Sequence, residues 1–255
     1  MTDIHCEIYG QGQPLVLIHG WSMHSGMWRE FAQALADDFQ VICLDLPGHG
    51  FSQSCQPYDL ITVTDSLIAS IDASSFTVLG WSLGALVAIE MASRYPRRVR
   101  QLITLAGNPC FVQQNDWPGV QPEVLELFAK NLQHSSQQTL MRFLALQVNG
   151  MEHARALLKQ MKAAVLDAPV PELSVLQAGL GILQKSDLRN QFANLNQPVL
   201  SLFGEKDHLI PVDCAASLKN LNHNAETRVF EKAGHMPFLS HQQSLVDSIK
   251  QFCHE

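Results

Sequence analysis

Phe76-Thr77-Val78-Leu79-Gly80-Trp81-Ser82-Leu83-Gly84 is the stretch that decides the fold. Its first four residues read as a strand buried on both faces, ending at Gly80. Leu83 to Tyr95 reads as a helix, stopped by Pro96. Ser82 therefore sits on a strand-to-helix turn. A G-x-S-x-G pattern alone is weak, since composition gives one by chance in roughly one chain of this length in ten. Its place between a strand and a helix makes it specific. Glycines at 80 and 84 remove the Cβ atoms that would clash in so sharp a turn, and the Ser82 hydroxyl is expected to project above the sheet.

Working outward, the same alternation continues. Further strands are expected at Ile4–Tyr9 (an edge strand, closed as a hairpin by Gly10-Gln11-Gly12), Leu15–Ile18, Val41–Leu44, Leu102–Leu105, Val199–Phe203 and Thr227–Phe230. Helices fit at Met27–Leu35, Val63–Ala73, Asp213–Leu221 and Gln242–Phe252. Ser240 and Gln243 have capping-box spacing at the start of the last. Alternating strands and helices imply a mostly parallel sheet covered by helices. Residues 112–188 break the pattern with four helical stretches, Pro122–Leu132, Gln137–Val148, His153–Leu166 and Pro171–Leu183. The expected organisation is an α/β core of residues 1–111 and 189–255 with a helical cap of residues 112–188 inserted into it.

The chain has 255 residues, enough for one α/β domain with an insertion. Hydrophobic residues make up 46% and charged residues 16%, which excludes a disordered chain. The net charge of −7 argues against nucleic-acid binding. No apolar run reaches the ~18 residues of a membrane span. Met1-Thr2-Asp3-Ile4-His5 lacks the features of a signal peptide, so a cytoplasmic location is expected. The six cysteines are scattered without a C-x-x-C pair and read as reduced, mostly core residues.

A serine hydroxyl needs an adjacent base to act as a nucleophile. His235, in Gly234-His235-Met236-Pro237 after the last strand, is the expected base. Among competing histidines, His241 opens the final helix, His254 is in the tail, and His208 lies too early in the chain. Asp207, in the loop after Val199–Phe203, is the expected acid, holding the imidazole tautomer and stabilising the imidazolium. Asp45 and Glu205 are rivals. Asp45 precedes the serine, and Glu205 follows the strand before the loop has turned. The order Ser82, Asp207, His235 is that of the α/β-hydrolase fold. Oxyanion donors are expected from the Leu83 N–H, at a helix N-terminus, and from the Trp21 N–H in His19-Gly20-Trp21-Ser22. No metal or dinucleotide motif is present, and catalysis by these groups needs no cofactor.

Trp81 flanks the nucleophile and is expected to line the site, with Phe111 and Phe143 extending an apolar channel for an acyl chain. From Gln133 to Leu166 the basic residues Arg142, Arg155, Lys159 and Lys162 face one acid, Glu152, in an otherwise acidic chain. Arg155, Lys159 and Lys162 at i, i+4 and i+7 share a helix face. That face is either simply solvated or a docking patch for an acidic partner.

With these residues in place the chain resembles the pimeloyl-acyl-carrier-protein methyl ester esterases of biotin synthesis. The resemblance runs over nearly the whole length. It includes Leu17-Ile18-His19-Gly20-Trp21, Asp45-Leu46-Pro47-Gly48, Leu79–Gly84 and Arg142-Phe143-Leu144-Ala145-Leu146-Gln147. It also includes Asn108-Pro109-Cys110-Phe111 with Asp116-Trp117-Pro118-Gly119, and the cap segments are far more specific than the catalytic motifs, which many α/β-hydrolases share. It implies a carboxylesterase that releases methanol from the methyl ester of pimeloyl-acyl carrier protein. The substrate would contact Trp21, Trp81, Ser82, Leu83, Phe111, Phe143 and His235. Basic cap residues, here Arg142, Arg155 and Lys159, would meet the acidic carrier. Gln138 stands where the family can carry arginine, and Lys159 replaces an arginine, whose bidentate fork lysine lacks. The residues leave two other readings open. One is a general short-chain carboxylesterase or carbon–carbon bond hydrolase with the same triad. The other is a non-catalytic ligand-binding protein on this fold. A monomer is expected.

Overall fold

The computed structural model describes residues 2–148, 151 and 153–254. Glu152, counted above as the one acid of the basic segment, lies outside them. The first half of the chain runs β1 (Cys6–Tyr9), β2 (Gln13–Ile18), a 3-10 turn (Ser25–Trp28), α1 (Arg29–Leu35), β3 (Phe39–Leu44), α2 (Leu60–Ser70), β4 (Phe76–Trp81), α3 (Leu83–Arg94) and β5 (Val99–Leu105). Four helices follow: α4 (Pro122–His134), α5 (Ser136–Gln147), α6 (Ala154–Leu166) and α7 (Leu173–Lys185). The chain then returns to the sheet through α8 (Arg189–Ala193), β6 (Val199–Gly204), α9 (Cys214–Leu221), β7 (Ala225–Phe230), α10 (Pro237–Ser240) and α11 (Gln242–His254).

The seven strands form one sheet in the order β1-β3-β2-β4-β5-β6-β7. Only β1 is antiparallel, pairing β3 at the edge. The expected β1–β2 hairpin does not form, because β3 lies between the two strands. Gly10 and Gly12 instead carry the chain across the start of β3. At Gly10 (φ +68) a Cβ would collide with the Ala36 and Phe39 carbonyls. The central strands are buried on both faces, and the pleat sends alternate residues to two cores. Val16, Ile18, Val78 and Leu102 join α2, α3 and α7 on one side. Leu15, Leu17, Leu79, Trp81 and Ile103 join α1 and α11 on the other.

Helix ends differ from the sequence reading where side chains intervene. α2 begins at Leu60 because the Asp59 carboxylate accepts from Thr62 N at 2.8 Å. It ends at Ser70, where the Arg98 guanidinium binds the Ile68, Ile71 and Ala73 carbonyls. The expected capping box at Ser240 and Gln243 is replaced by α10. Ser240 Oγ donates to Met236 O and meets His241 Nδ1, and Gln243 turns to Asp247. The chain leaves and re-enters the sheet region at one place: Cys110 bridges Asp187, and Leu188 N donates to Pro109 O at 2.8 Å.

Candidate active site

The β4–α3 turn places Ser82 at φ +56, ψ −116, a backbone region that costs a non-glycine residue energy. The flanking sequence makes that turn possible. A Cβ on Gly80 would collide with the Gly84 carbonyl, and one on Gly84 with the Ile18 carbonyl. Side chains of ordinary size at 80 and 84 would push α3 off the end of the sheet.

β2 pairs with β4 in register, Ile18 opposite Gly80. The loops that follow these strands therefore emerge side by side. A Cβ on Gly20 would lie 3.2 Å from that of Ser82, so the Gly20-Trp21 backbone passes directly against the elbow. The loop that carries one expected oxyanion donor thus lies against the turn that carries the other. Leu83 N–H opens α3, where the first N–H groups have no partner inside the helix. Trp21 N–H follows from the neighbouring strand. His19 anchors the loop. Its Nε2 accepts from Leu46 N at 2.9 Å, so Nδ1 carries the proton and donates to Gly20 O at 2.8 Å. Complete burial pushes its pKa down to about 3, and it stays neutral.

His235 and Asp207 meet in the β7 and β6 loops. His235 Nδ1 lies 2.8 Å from Asp207 Oδ2, with both side chains 1% exposed. The other Asp207 oxygen accepts from Leu209 N at 2.8 Å and Ile210 N at 3.0 Å, which fixes the carboxylate's orientation. His235 Nε2 is buried and has no hydrogen-bond partner among the described residues. The rival acids are engaged elsewhere. Asp45 is fully buried and accepts from Ser25 N and Phe51 N, holding two loops together. Glu205 accepts from Lys232 N.

Trp81 lies elsewhere than expected. The pleat that sends Leu79 toward α1 and α11 sends Trp81 the same way, against Trp28 and Phe238. Its Nε1–H donates to the His235 backbone carbonyl at 2.8 Å, with ring centroids 5.6 Å apart. Trp81 thus supports His235 and does not line the cavity that includes Ser82. That cavity, ≈ 50 Å³, does include Ser82, Trp21, Phe111 and Phe143. The sequence reading missed its other walls, among them Phe128, Leu146, Leu180 and Leu209. For Leu146 and Leu180 the i, i+3 apolar spacing of α5 and α7 is a trace; Leu209 lies in a loop, where no periodicity marks it. It also missed Gln147, at the end of α5, whose buried amide has no partner among the described residues.

Arg142, Arg155 and Lys159 are exposed and Lys162 half-exposed, and none forms an ion pair among the described residues. Among those residues no group of three His, Cys, Asp or Glu side chains is placed to hold a metal, and no helix is long and apolar enough to cross a membrane. An elbow serine and an imidazole oriented by a buried carboxylate suit acyl transfer.

Comparison with known proteins agrees with this chemistry. The alpha/beta hydrolase fold family model matches residues 13–242. A pimeloyl-[acyl-carrier protein] methyl ester esterase from Serratia marcescens is 41% identical over 253 residues, 99% of this chain and 98% of that protein. One from Aeromonas hydrophila subsp. hydrophila is 39% identical over 252 residues, 98% of this chain and 99% of that protein. An esterase structure from Exiguobacterium antarcticum superposes with a TM-score of 0.90 over 100% of this chain and 96% of its own, at 23% identity, a likeness of fold. The chain belongs to the family of pimeloyl-[acyl-carrier protein] methyl ester esterases, carboxylic ester hydrolases built on the α/β-hydrolase fold.

Proposed function

We propose that this enzyme hydrolyses the methyl ester of pimeloyl-acyl carrier protein to the free carboxylate and methanol, a step of biotin biosynthesis. The observation that carries the catalytic part is the buried 2.8 Å contact of His235 Nδ1 with Asp207, which leaves Nε2 with no hydrogen-bond partner among the described residues. Ser82 Oγ attacks the ester carbonyl while His235 Nε2 takes its proton. The tetrahedral oxyanion is held by the Trp21 and Leu83 N–H groups. His235 then gives its proton to the departing methoxide, which leaves as methanol. Water attacks the acyl-enzyme, losing its proton to the same nitrogen. Collapse of the second intermediate returns that proton to Ser82 and frees the acid. Asp207 accepts from Nδ1–H and so holds the imidazole in the tautomer that leaves Nε2 to take the proton.

The same reading treats residues 112–188 as a cap over a core of residues 1–111 and 189–255. It assigns Arg142, Arg155, Lys159 and Lys162 to docking of the acidic carrier, and Trp21, Phe111 and Phe143 to the acyl chain. It takes the enzyme to work as a monomer in the cytoplasm, with which six unpaired cysteines accord. The test compares wild type and Ser82→Ala on the pimeloyl-carrier-protein methyl ester and on free p-nitrophenyl esters. A strong, Ser82-dependent preference for the carrier-bound ester is expected. Efficient Ser82-dependent turnover of simple esters with neglect of the carrier substrate would overturn the assignment and leave a general esterase.

A further inference from the structure

Two apolar cavities lie end to end along α7. The inner one, ≈ 50 Å³, holds Ser82. The outer one, ≈ 300 Å³, is walled chiefly by Met23, Leu140, Leu144, Val165 and Leu176. One stripe of α7 serves both. Leu173 and Leu176 face the outer cavity, and Leu180 and Leu183 face the inner one. The ten helical steps from Leu173 to Leu183 make this shared floor about 15 Å long. α5 divides similarly, with Leu140 and Leu144 on the outer side and Phe143 on the inner.

Trp21 stands at the junction. Its Nε1–H donates to Leu176 O at 2.9 Å, on the turn of α7 between the two cavities. Gly179 makes room for the indole, since a Cβ there would lie 2.9 Å from Trp21 Cδ1. Phe128 and Phe143 clamp the ring edge-to-face at 5.4 and 5.1 Å.

We propose that the outer cavity is a second substrate subsite, taking the part of an unbranched acyl chain remote from Ser82, and that Trp21 is the partition the chain must pass. The inference rests on the esterase reading of Ser82. The inner cavity of ≈ 50 Å³ has room for only a few small groups, against about 10–15 Å³ of such space for a single water. An extended acyl chain needs more, and the adjoining apolar space lies beyond Trp21. Each methylene seated there would gain about fourfold in binding. The mouth is apolar too, with Leu166 72% and Val170 62% exposed. Leu166 continues the α6 stripe of Arg155, Lys159 and Lys162, at i+11 from the first. A chain delivered by an acidic carrier seated on that stripe would arrive at this mouth.

The test measures kcat/KM on p-nitrophenyl acetate and octanoate. In Val165→Trp and Leu140→Phe, which fill the outer cavity, the octanoate-to-acetate ratio should fall about tenfold or more. In Trp21→Phe, which removes the bond to Leu176, it should rise. An unchanged ratio in both filling variants, with melting temperatures near wild type, would overturn the proposal. Should the variants not fold, wild type can be inactivated with p-nitrophenyl octylphosphonate. Ser82 Oγ bonds to phosphorus, p-nitrophenolate leaves, and the alkyl chain is then located by crystallography. Density beyond Trp21 supports the subsite, and a chain directed between α4 and α5 refutes it. Wild-type acetate turnover, and its loss in Ser82→Ala, reports separately on the esterase reading.

Discussion

Acidification should unfold this enzyme through two histidines outside the proposed triad. His19 and His49 are fully buried, their rings 5.5 Å apart beneath the β2 and β3 loops. Burial is the main cause that pushes each pKa down to about 3, and for His49 the neighbouring His19 adds to it. An unfolded histidine titrates near 6.5, so between about pH 6.5 and 3 the unfolded chain binds protons that the native state refuses. Stability is therefore full above the unfolded value and is lost as pH falls through this window. Each imidazole contributes up to about 1.4 kcal/mol per pH unit, or about 2 kcal/mol lost by pH 5. The pair would remove about 4 kcal/mol of a total that is usually 5–15. His49→Phe separates the two. Its Nδ1 bonds Pro47 O at 3.1 Å, but that carbonyl also accepts from Tyr58 Oη, so the substitution orphans nothing. Urea unfolding at pH 7, 6 and 5 should show about half the wild-type loss in His49→Phe. An equal loss in both proteins would refute the assignment of acid sensitivity to His49.

Two further outcomes follow from the geometry of the base and of α6. Trp81→Phe leaves the His235 carbonyl unpaired in a buried site, at a cost of about 1–3 kcal/mol. It should lower kcat about tenfold with little change in KM; a lower melting temperature with kcat intact would make the bond purely structural. Lys159→Glu with Lys162→Glu should lower the preference for the carrier-bound over a free methyl ester about tenfold at low salt, an effect that shrinks as salt is added. A preference that survives the reversal would remove α6 from the docking surface.

What could be read in the sequence divides according to how local the cause is. The β4 strand, the Ser82 elbow and the order of Ser82, Asp207 and His235 are set by short patterns, and glycines 80 and 84 are required by contacts within the same turn. The placement of β1 could not be read this way. Cys6–Tyr9 and Gln13–Ile18 flank a tight glycine turn, which favours a hairpin, yet β3 intrudes because pairing Tyr9 with Val41 and Leu15 with the other side of Val41 buries a strand on both edges. The position of Trp81 was legible and was missed. Its parity with Leu79 assigns it to the α1 and α11 face, whereas adjacence to Ser82 suggests the cavity. The cavities are a different case. A void is what packing leaves over, a difference between large volumes contributed by α5, α7 and the β2 loop, and no pattern in one segment encodes it. Gly179 illustrates this. In the sequence it is a glycine that weakens a helix, and only the indole lying on it gives that loss a purpose. The residues proposed to perform the reaction are therefore written locally, while those proposed to select the substrate are defined by what faces them across the fold.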